Sequence, residues 1–134
     1  MINDRAKQSS LDFEAFAQNL ASAEGRIVYV GIVDSQYKLR YSNFRQGGEV
    51  YADFHVIRNL LTFASRLVVG ELEKLEPTLG KIDSVLVRFK KRVLVFSRLD
   101  DHIVVVGFDT EVPTPFPEYV AGLIKTAAKK ARNT

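Results

Sequence analysis

Three stretches of the chain place apolar residues at every third or fourth position, which is the spacing of one face of an α-helix. They predict a first helix over about residues 10–24, a long second helix over about 50–76, and a last helix with Pro117 in its first turn. Ser9 and Ser10 are candidate N-caps of the first helix, since their hydroxyls can accept from free backbone N–H groups. The inner face of the last helix is predicted to comprise Tyr119, Val120, Leu123, Ile124, Ala127 and Ala131.

The second predicted helix contains Gly70 and is followed directly by Pro77. A glycine inside a helix either bends it or lets another group pack closely against the backbone. Pro77 is expected to end the helix, because proline lacks a backbone N–H and disfavours the helical conformation in the residue before it.

Five further stretches predict strands over 27–33, 38–44, 82–89, 93–97 and 103–108. Most are largely apolar, whereas 38–44 alternates between polar and apolar residues. The first and fifth are apolar on both faces and should lie in the middle of a sheet. The second and third carry more polar residues and should lie at its edges. Hairpin connections then give a five-stranded antiparallel sheet in the order 2-1-5-4-3. Because its central strands are apolar on both faces, helices must cover both faces of this α/β domain.

The composition is that of an ordinary globular protein, with 46% hydrophobic and 26% charged residues in a length of 134. We expect a polar leader over residues 1–9 and a single domain over 10–132. The absence of cysteine excludes disulfides and fits a reducing compartment. No signal peptide or membrane-spanning apolar run is apparent, so a cytoplasmic location is expected. The net charge of +3 is weaker than the clustered excess of a typical nucleic-acid binder.

Residues suited to catalysis or metal binding are few and scattered. His55 and His102 lack a second histidine at ligand spacing, and Asp100-Asp101-His102 falls in a predicted tight turn, where aspartate is common for backbone reasons. Gly47-Gly48 precedes a helix but lacks the glycine patterns that bind phosphate. No serine lies in a nucleophile-elbow motif. We therefore expect no enzyme activity, no metal and no cofactor, although residues distant in sequence can still meet in space.

The predicted turn between the third and fourth strands is the strongest charged feature. We call it the basic hairpin, and it comprises Arg88, Lys90, Lys91, Arg92 and Arg98. Such a cluster is typical of a soluble turn whose charges prevent aggregation. It also suits an acidic protein partner. Phosphate groups, single-stranded nucleic acid or an anionic membrane are alternatives that we favour less.

The order of elements resembles the roadblock family, within the broader group that includes longin domains and profilins. The resemblance extends from about Ser9 to Ala131. Its local features are the strand–turn–strand of Ile27–Val33, Asp34-Ser35 and Lys38–Phe44, and a long second helix that ends near Leu79-Gly80. The short leader and the long second helix also resemble a stand-alone member of archaeal type.

The resemblance implies a non-enzymatic protein that forms homodimers and acts as a scaffold or regulator of a small GTPase. Pairing of third strands and packing of second helices would join the two copies. The implied dimer edge comprises Ile82, Val85, Val87 and Phe89. The implied partner surface comprises Arg58, Asn59, Thr62, Arg66 and Glu73. Independently, an edge strand with apolar residues needs a cover, unless Asp83 and Arg88 protect it as charges.

Two other functions remain open from the sequence. A sheet covered by long helices can enclose a ligand, which would make the chain a small-molecule sensor domain. The basic hairpin over residues 88–98 could instead bind nucleic acid, with an affinity that falls steeply as salt rises.

Overall fold

The computed structural model describes residues 11–44, 54–90, 92–108 and 116–132. The elements follow in the order α1 (Phe13–Ala23), β1 (Ile27–Val33), β2 (Leu39–Phe44), α2 (Phe54–Ala64), a π-helical segment (Ser65–Gly70), a 3₁₀ turn (Glu73–Leu75), α3 (Glu76–Leu79), β3 (Ser84–Arg88), β4 (Val93–Leu99), β5 (His102–Phe108) and α4 (Phe116–Arg132).

The strands form one five-stranded antiparallel sheet in the order β2-β1-β5-β4-β3. This confirms the strand order that the sequence predicts. Every residue of β1 is buried, and β5 is buried from its second residue onward, as expected of central strands. In the edge strands β2 and β3, half-buried residues are interspersed with exposed ones.

The sheet separates two hydrophobic cores, because successive strand residues point to opposite faces. In β5, for example, Val104 and Val106 enter one core, whereas Ile103 and Val105 enter the other. Helices α1 and α4 cover the first core, to which they contribute Phe16, Ala17, Leu20, Val120, Ile124, Ala127, Ala128 and Ala131. Helix α2 covers the second core with the buried Leu61 and the half-buried Ala64. Helices therefore lie on both faces, as predicted.

The first helix begins later than the serine caps would require. Its N-cap is Asp12, whose carboxylate accepts from the backbone N–H of Ala15 at 3.1 Å. The prediction that Ser9 or Ser10 caps this helix was therefore wrong. Aspartate satisfies a free N–H as well as serine does, and its charge also favours the positive end of the helix.

The helical segment after α2 does not end before Pro77, which corrects the sequence prediction. Pro77 lies in the first turn of α3, where its missing N–H would have no partner in the helix. The chain remains helical to Leu79 and stops at Gly80, which has a φ of 90°. A glycine adopts this left-handed conformation without the steric penalty of other residues.

Gly70 allows a close contact, as one of its two predicted roles requires. A Cβ atom at this position would lie 2.6 Å from the hydroxyl oxygen of Tyr37. Tyr37 belongs to the β1–β2 turn, so this contact fixes the turn against the end of the π-helical segment.

Candidate interaction surfaces

The β3 edge of the sheet carries apolar residues that are only partly covered. Strand β3 is shorter than predicted, so Ile82 and Phe89 flank it instead of lying within it. Val85 and Val87 are half-buried against the core beneath α2. Leu86 points to the opposite face and is 37% exposed, and Phe89 is 53% exposed. Leu86 is thus an exposed apolar residue of this edge that the sequence analysis missed.

The backbone of β3 also has groups that point away from the sheet. The N–H of Phe89 donates to the carbonyl of Arg92 at 2.8 Å, which closes the β3–β4 hairpin. In an antiparallel ladder, only alternate residues bond to the neighbouring strand. With the observed register, the backbone N–H and C=O groups of Val85, Val87 and Phe89 point towards β4. The N–H and C=O groups of Ser84, Leu86 and Arg88 therefore face outward along the edge.

A second surface is an open groove of about 900 Å³ between α2 and the β1–β2 turn, which we call the α2 groove. Four of the five residues of the implied partner surface line it: Arg58, Asn59, Thr62 and Arg66. Its other lining residues are Tyr37, Lys38, Leu39, Leu60 and Phe63. Glu73 lies elsewhere and approaches Arg98, with 3.6 Å between the charged groups.

The β1–β2 turn that forms one wall of the α2 groove is held by Asp34. Its carboxylate accepts from the backbone N–H groups of Gln36 at 2.8 Å and Lys38 at 3.0 Å. Burial opposes ionisation of this carboxyl most strongly, but these hydrogen bonds and the nearby Arg40 together lower its pKa. Tyr37 has a φ of 62°, an uncommon conformation for a tyrosine, and its ring packs against Gly70. The wall is therefore fixed by several local contacts.

The helical region also exposes large apolar side chains. Leu60 is 54% exposed and Phe63 is 63% exposed, both on α2. We call this pair the α2 apolar pair. Leu72, Leu75 and Leu79 are exposed further along the same helical region. Leu60 and Phe63 were not among the predicted surface residues. Both lie off the repeat of core positions through Leu61 and Ala64, and that departure is the sequence signal that could have found them.

The basic hairpin does not form one cluster. Arg88 and Lys90 are exposed near the turn, Arg92 is half-buried, and Lys91 lies outside the described residues. Arg98 lies near the opposite end of β4, where its guanidinium pairs with Glu76 at 2.8 Å. The Glu76 carboxylate also accepts from the backbone N–H of Ile82 at 2.9 Å. Arg98 thus connects the end of the helical segment to the sheet.

The most strongly perturbed carboxyl group belongs to Glu24, which is buried at the end of α1. The guanidinium of Arg26 donates to both of its oxygens at 2.8 Å, and the hydroxyl of Tyr119 donates to one of them. Hydrogen bonding from Arg26 outweighs burial and, with Tyr119, lowers the pKa of Glu24 to about 2. Since Tyr119 belongs to α4, this cluster joins the two helices of one face and has a structural role.

The other candidate chemical groups also make structural contacts. The imidazole of His102 lies 2.8 Å from the Asp101 carboxylate and packs edge-on against Phe13. Asp100 pairs with Arg132 of α4. The His55 side chain, Gly47 and Gly48 lie outside the described part. Within the described ranges, no three histidine, aspartate or glutamate side chains are grouped as metal ligands would be, and no helix has the length and apolarity needed to cross a membrane.

The fold matches solved structures of roadblock domains. The roadblock/LC7 domain from Streptomyces avermitilis aligns with a TM-score of 0.65 and 12% identity, covering 93% of this chain and 97% of that one. The gliding protein MglB from Thermus thermophilus aligns with a TM-score of 0.64 and 12% identity, over 91% and 92% of the two chains. An MglB described as having a tetrameric arrangement aligns with a TM-score of 0.62 and 11% identity, over 90% of each chain.

No protein-family model matches the sequence, and no curated protein matches it significantly. The resemblance to the roadblock family is therefore confirmed in three dimensions, where this chain has the roadblock fold. With sequence identities of 11–12%, the likeness lies in the fold alone.

Proposed function

We propose that this chain is a non-catalytic interaction module that forms a homodimer through its β3 edge and acts as a scaffold or regulator of a small GTPase or a similar protein. The observation that carries the proposal is the open edge of β3, which combines outward backbone groups with the exposed Leu86. An unprotected edge of this kind favours pairing with another strand.

The β3 edge is complementary to itself in one antiparallel register. If the outward groups of two copies bond to each other, Leu86 faces Leu86 of the second copy, and Ser84 faces Arg88. In the same register, Val85 lies opposite Val87 on the α2 face of the joined sheet. All outward backbone groups of β3 then gain partners, and no two like charges face each other directly. This arrangement would have the two-fold symmetry that is common in homodimers.

The α2 apolar pair supports a second contact between the copies. Leu60 and Phe63 lie on the same face of the sheet as Val85 and Val87, yet each remains more than half exposed. A second copy joined at β3 would place its own helix α2 on that face as well. Burying these side chains would stabilise the dimer through the hydrophobic effect.

The GTPase part of the proposal comes from the roadblock resemblance. The fold supports it, and the α2 groove supplies a surface of suitable size for a protein segment. The basic hairpin gives less support to nucleic-acid binding, since Arg98 is separated from the turn and neutralised by Glu76.

Cross-linking at Leu86 tests the proposed pairing. The chain has no cysteine, so Leu86→Cys introduces a unique thiol. We expect a short bismaleimide to link two copies of this variant rapidly, because the two thiols face each other across the joined edge. Ser35→Cys is the matched control, as Ser35 is exposed in the β1–β2 turn, away from the β3 edge. Equal cross-linking of the two variants, or none of either, would contradict the pairing.

A further inference from the structure

We propose that the α2 groove docks an acidic, extended peptide segment of a partner protein, with an apolar side chain between two of its carboxylates. The groove does not depend on pairing at β3, because it lies beside the β1–β2 turn and β3 forms the other edge of the sheet. A copy that fails to dimerise would therefore still present the groove. Leu60 and Phe63 also line it, so the α2 apolar pair is shared between the groove and the proposed second dimer contact.

The charge of the α2 groove selects an acidic ligand. Its lining includes Lys38, Arg58 and Arg66, and none of its described lining residues is a carboxylate. All three cations are exposed, and no described acidic group lies within ion-pair distance of them. The pKa of Glu71 is lowered mainly by Lys74, with which its carboxylate pairs at 2.8 Å, and Arg66 adds only a smaller attraction. Arg98, which does not line the groove, is by contrast paired with Glu76.

The spacing of the two arginines favours an extended segment. Arg58, Thr62 and Arg66 are separated by four residues each, so they follow one side of the helix. The two arginines are thus about 12 Å apart along the helix axis at about 1.5 Å per residue. A strand-like peptide rises about 3.3 Å per residue, so carboxylates about four residues apart would reach both arginines. Thr62 lies between them and offers a hydroxyl to the peptide backbone.

The walls of the groove suit an apolar side chain between those carboxylates. Tyr37 and Leu39 are half-buried on one side, and Phe63 is exposed on the other. The Tyr37 ring is fixed against Gly70, and the turn that carries it is held by Asp34. A wall that is already ordered costs little entropy when a ligand binds.

Binding of a labelled peptide tests the proposal. The probe is a synthetic peptide with two glutamates four residues apart and a leucine between them, measured by fluorescence anisotropy with the intact chain. We expect the double variant Arg58→Glu with Arg66→Glu to bind about tenfold more weakly or worse, since two exposed ion pairs are lost and two repulsions gained. The matched control is Lys129→Glu with Lys130→Glu, which makes the same charge change on the exposed side of α4. The control should bind within about twofold of the unchanged chain at moderate salt, where distant charges are screened.

Two further measurements separate docking from general attraction. Replacing the probe leucine with serine should weaken binding several-fold, as the apolar wall then has no partner. Gly70→Ala should also weaken it, because a Cβ atom there would displace Tyr37, and circular dichroism would confirm that this variant is folded. The proposal would be overturned if the α2 variant (Arg58→Glu with Arg66→Glu) and the α4 control (Lys129→Glu with Lys130→Glu) lost equal affinity for the probe. So would binding to anionic vesicles or a polynucleotide without binding to the probe.

Discussion

The two edges of the sheet differ in how they meet solvent. Strand β2 carries the exposed Arg40 and Asn43, and its pairing with β1 is interrupted by an irregularity between Ile32 and Val33. Strand β3 pairs with β4 in an unbroken register and exposes Leu86. Each edge strand carries one exposed charge, Arg40 in β2 and Arg88 in β3, so charge does not separate them. The irregularity of β2 discourages strand addition, whereas the regular register and exposed Leu86 of β3 favour it. The proposed pairing therefore uses the regular edge of the sheet and leaves the irregular edge free of pairing.

The largest expected effect is that of Leu86→Glu on the proposed dimer. In the proposed register, two glutamates would face each other at the centre of the joined edge, and an apolar contact would be lost. We expect the dissociation constant to rise by about 30-fold or more, which corresponds to about 2 kcal/mol. Sedimentation velocity over a concentration series would measure it. Asn43→Glu makes a matched change on β2 and should leave the dissociation constant unchanged, and a similar loss in both variants would remove the distinction between the edges.

A variant of the cluster of Glu24, Arg26 and Tyr119 should lower the free energy of unfolding without changing the β2 or β3 edge of the sheet. Glu24→Gln leaves the Arg26 guanidinium without its carboxylate, so we expect a loss of about 1–2 kcal/mol in the free energy of unfolding at neutral pH. Chemical denaturation followed by circular dichroism would measure this loss. Cross-linking of Leu86→Cys in the same background should be unaffected under native conditions.

The pH dependence of unfolding gives a sharper form of the same test. Folding lowers the pKa of Glu24 from 4.5 to about 2, so its contribution to stability is complete above about pH 4.5. The contribution is lost as the pH falls from about 4.5 towards 2, where the folded protein also takes up the proton. The stability difference between the unchanged chain and Glu24→Gln should therefore shrink across that range. A constant difference would show that ionised Glu24 does not stabilise the fold.

Gly70→Ala tests the contact that fixes the turn near the β2 edge. The added methyl group would collide with the Tyr37 hydroxyl, and the ring can escape only by leaving its position. Alanine favours helix over glycine, which offsets part of the cost. We expect a net loss of about 1 kcal/mol in unfolding free energy, measured by denaturant titration. Recovery in the double variant with Tyr37→Ala would confirm the contact, and equal losses with and without Tyr37 would contradict it.

The smallest expected effect is that of Phe63→Ser on dimerisation. Phe63 is 63% exposed, so its removal should leave the fold intact while reducing the apolar area available for a second contact. We expect the dimer dissociation constant to rise about threefold to tenfold. Thr126→Ser, at an exposed position of α4 on the other face of the sheet, serves as a control for substitution away from the proposed contact. An unchanged dissociation constant in Phe63→Ser would show that the interface is confined to β3.

The strand order could be predicted because burial leaves a direct pattern in sequence. A strand buried on both faces, such as Ile27–Val33, has no regular polar positions, and this identifies the centre of the sheet. The end of the second helix was misplaced at residue 76 by the residue pattern, whereas the roadblock resemblance placed it near Leu79-Gly80, where it is found. Pro77 indicates a helix stop only if the helix is continuous, and here a new helical turn begins at Glu76.

The surfaces were harder to predict than the fold, because exposure depends on tertiary contacts. Leu86 looks like a core residue in the sequence, and only the packing of neighbouring elements shows that it is left exposed. Arg98 looks like part of a basic hairpin, yet Glu76 lies beside it in space although it is distant along the chain. The sequence places Arg58, Asn59, Thr62 and Arg66 on one side of the predicted second helix, and all four line the α2 groove. Their role as a partner surface stays a prediction.

The most direct test of the account is the mass of the chain in solution, measured by light scattering after size exclusion over a range of concentrations. The unchanged chain and Asn43→Glu should approach twice the chain mass of 15.1 kDa, whereas Leu86→Glu should remain near 15.1 kDa at the same concentrations. A mass of 15.1 kDa for the unchanged chain at every concentration, or a dimer that persists in Leu86→Glu, would contradict pairing through the β3 edge.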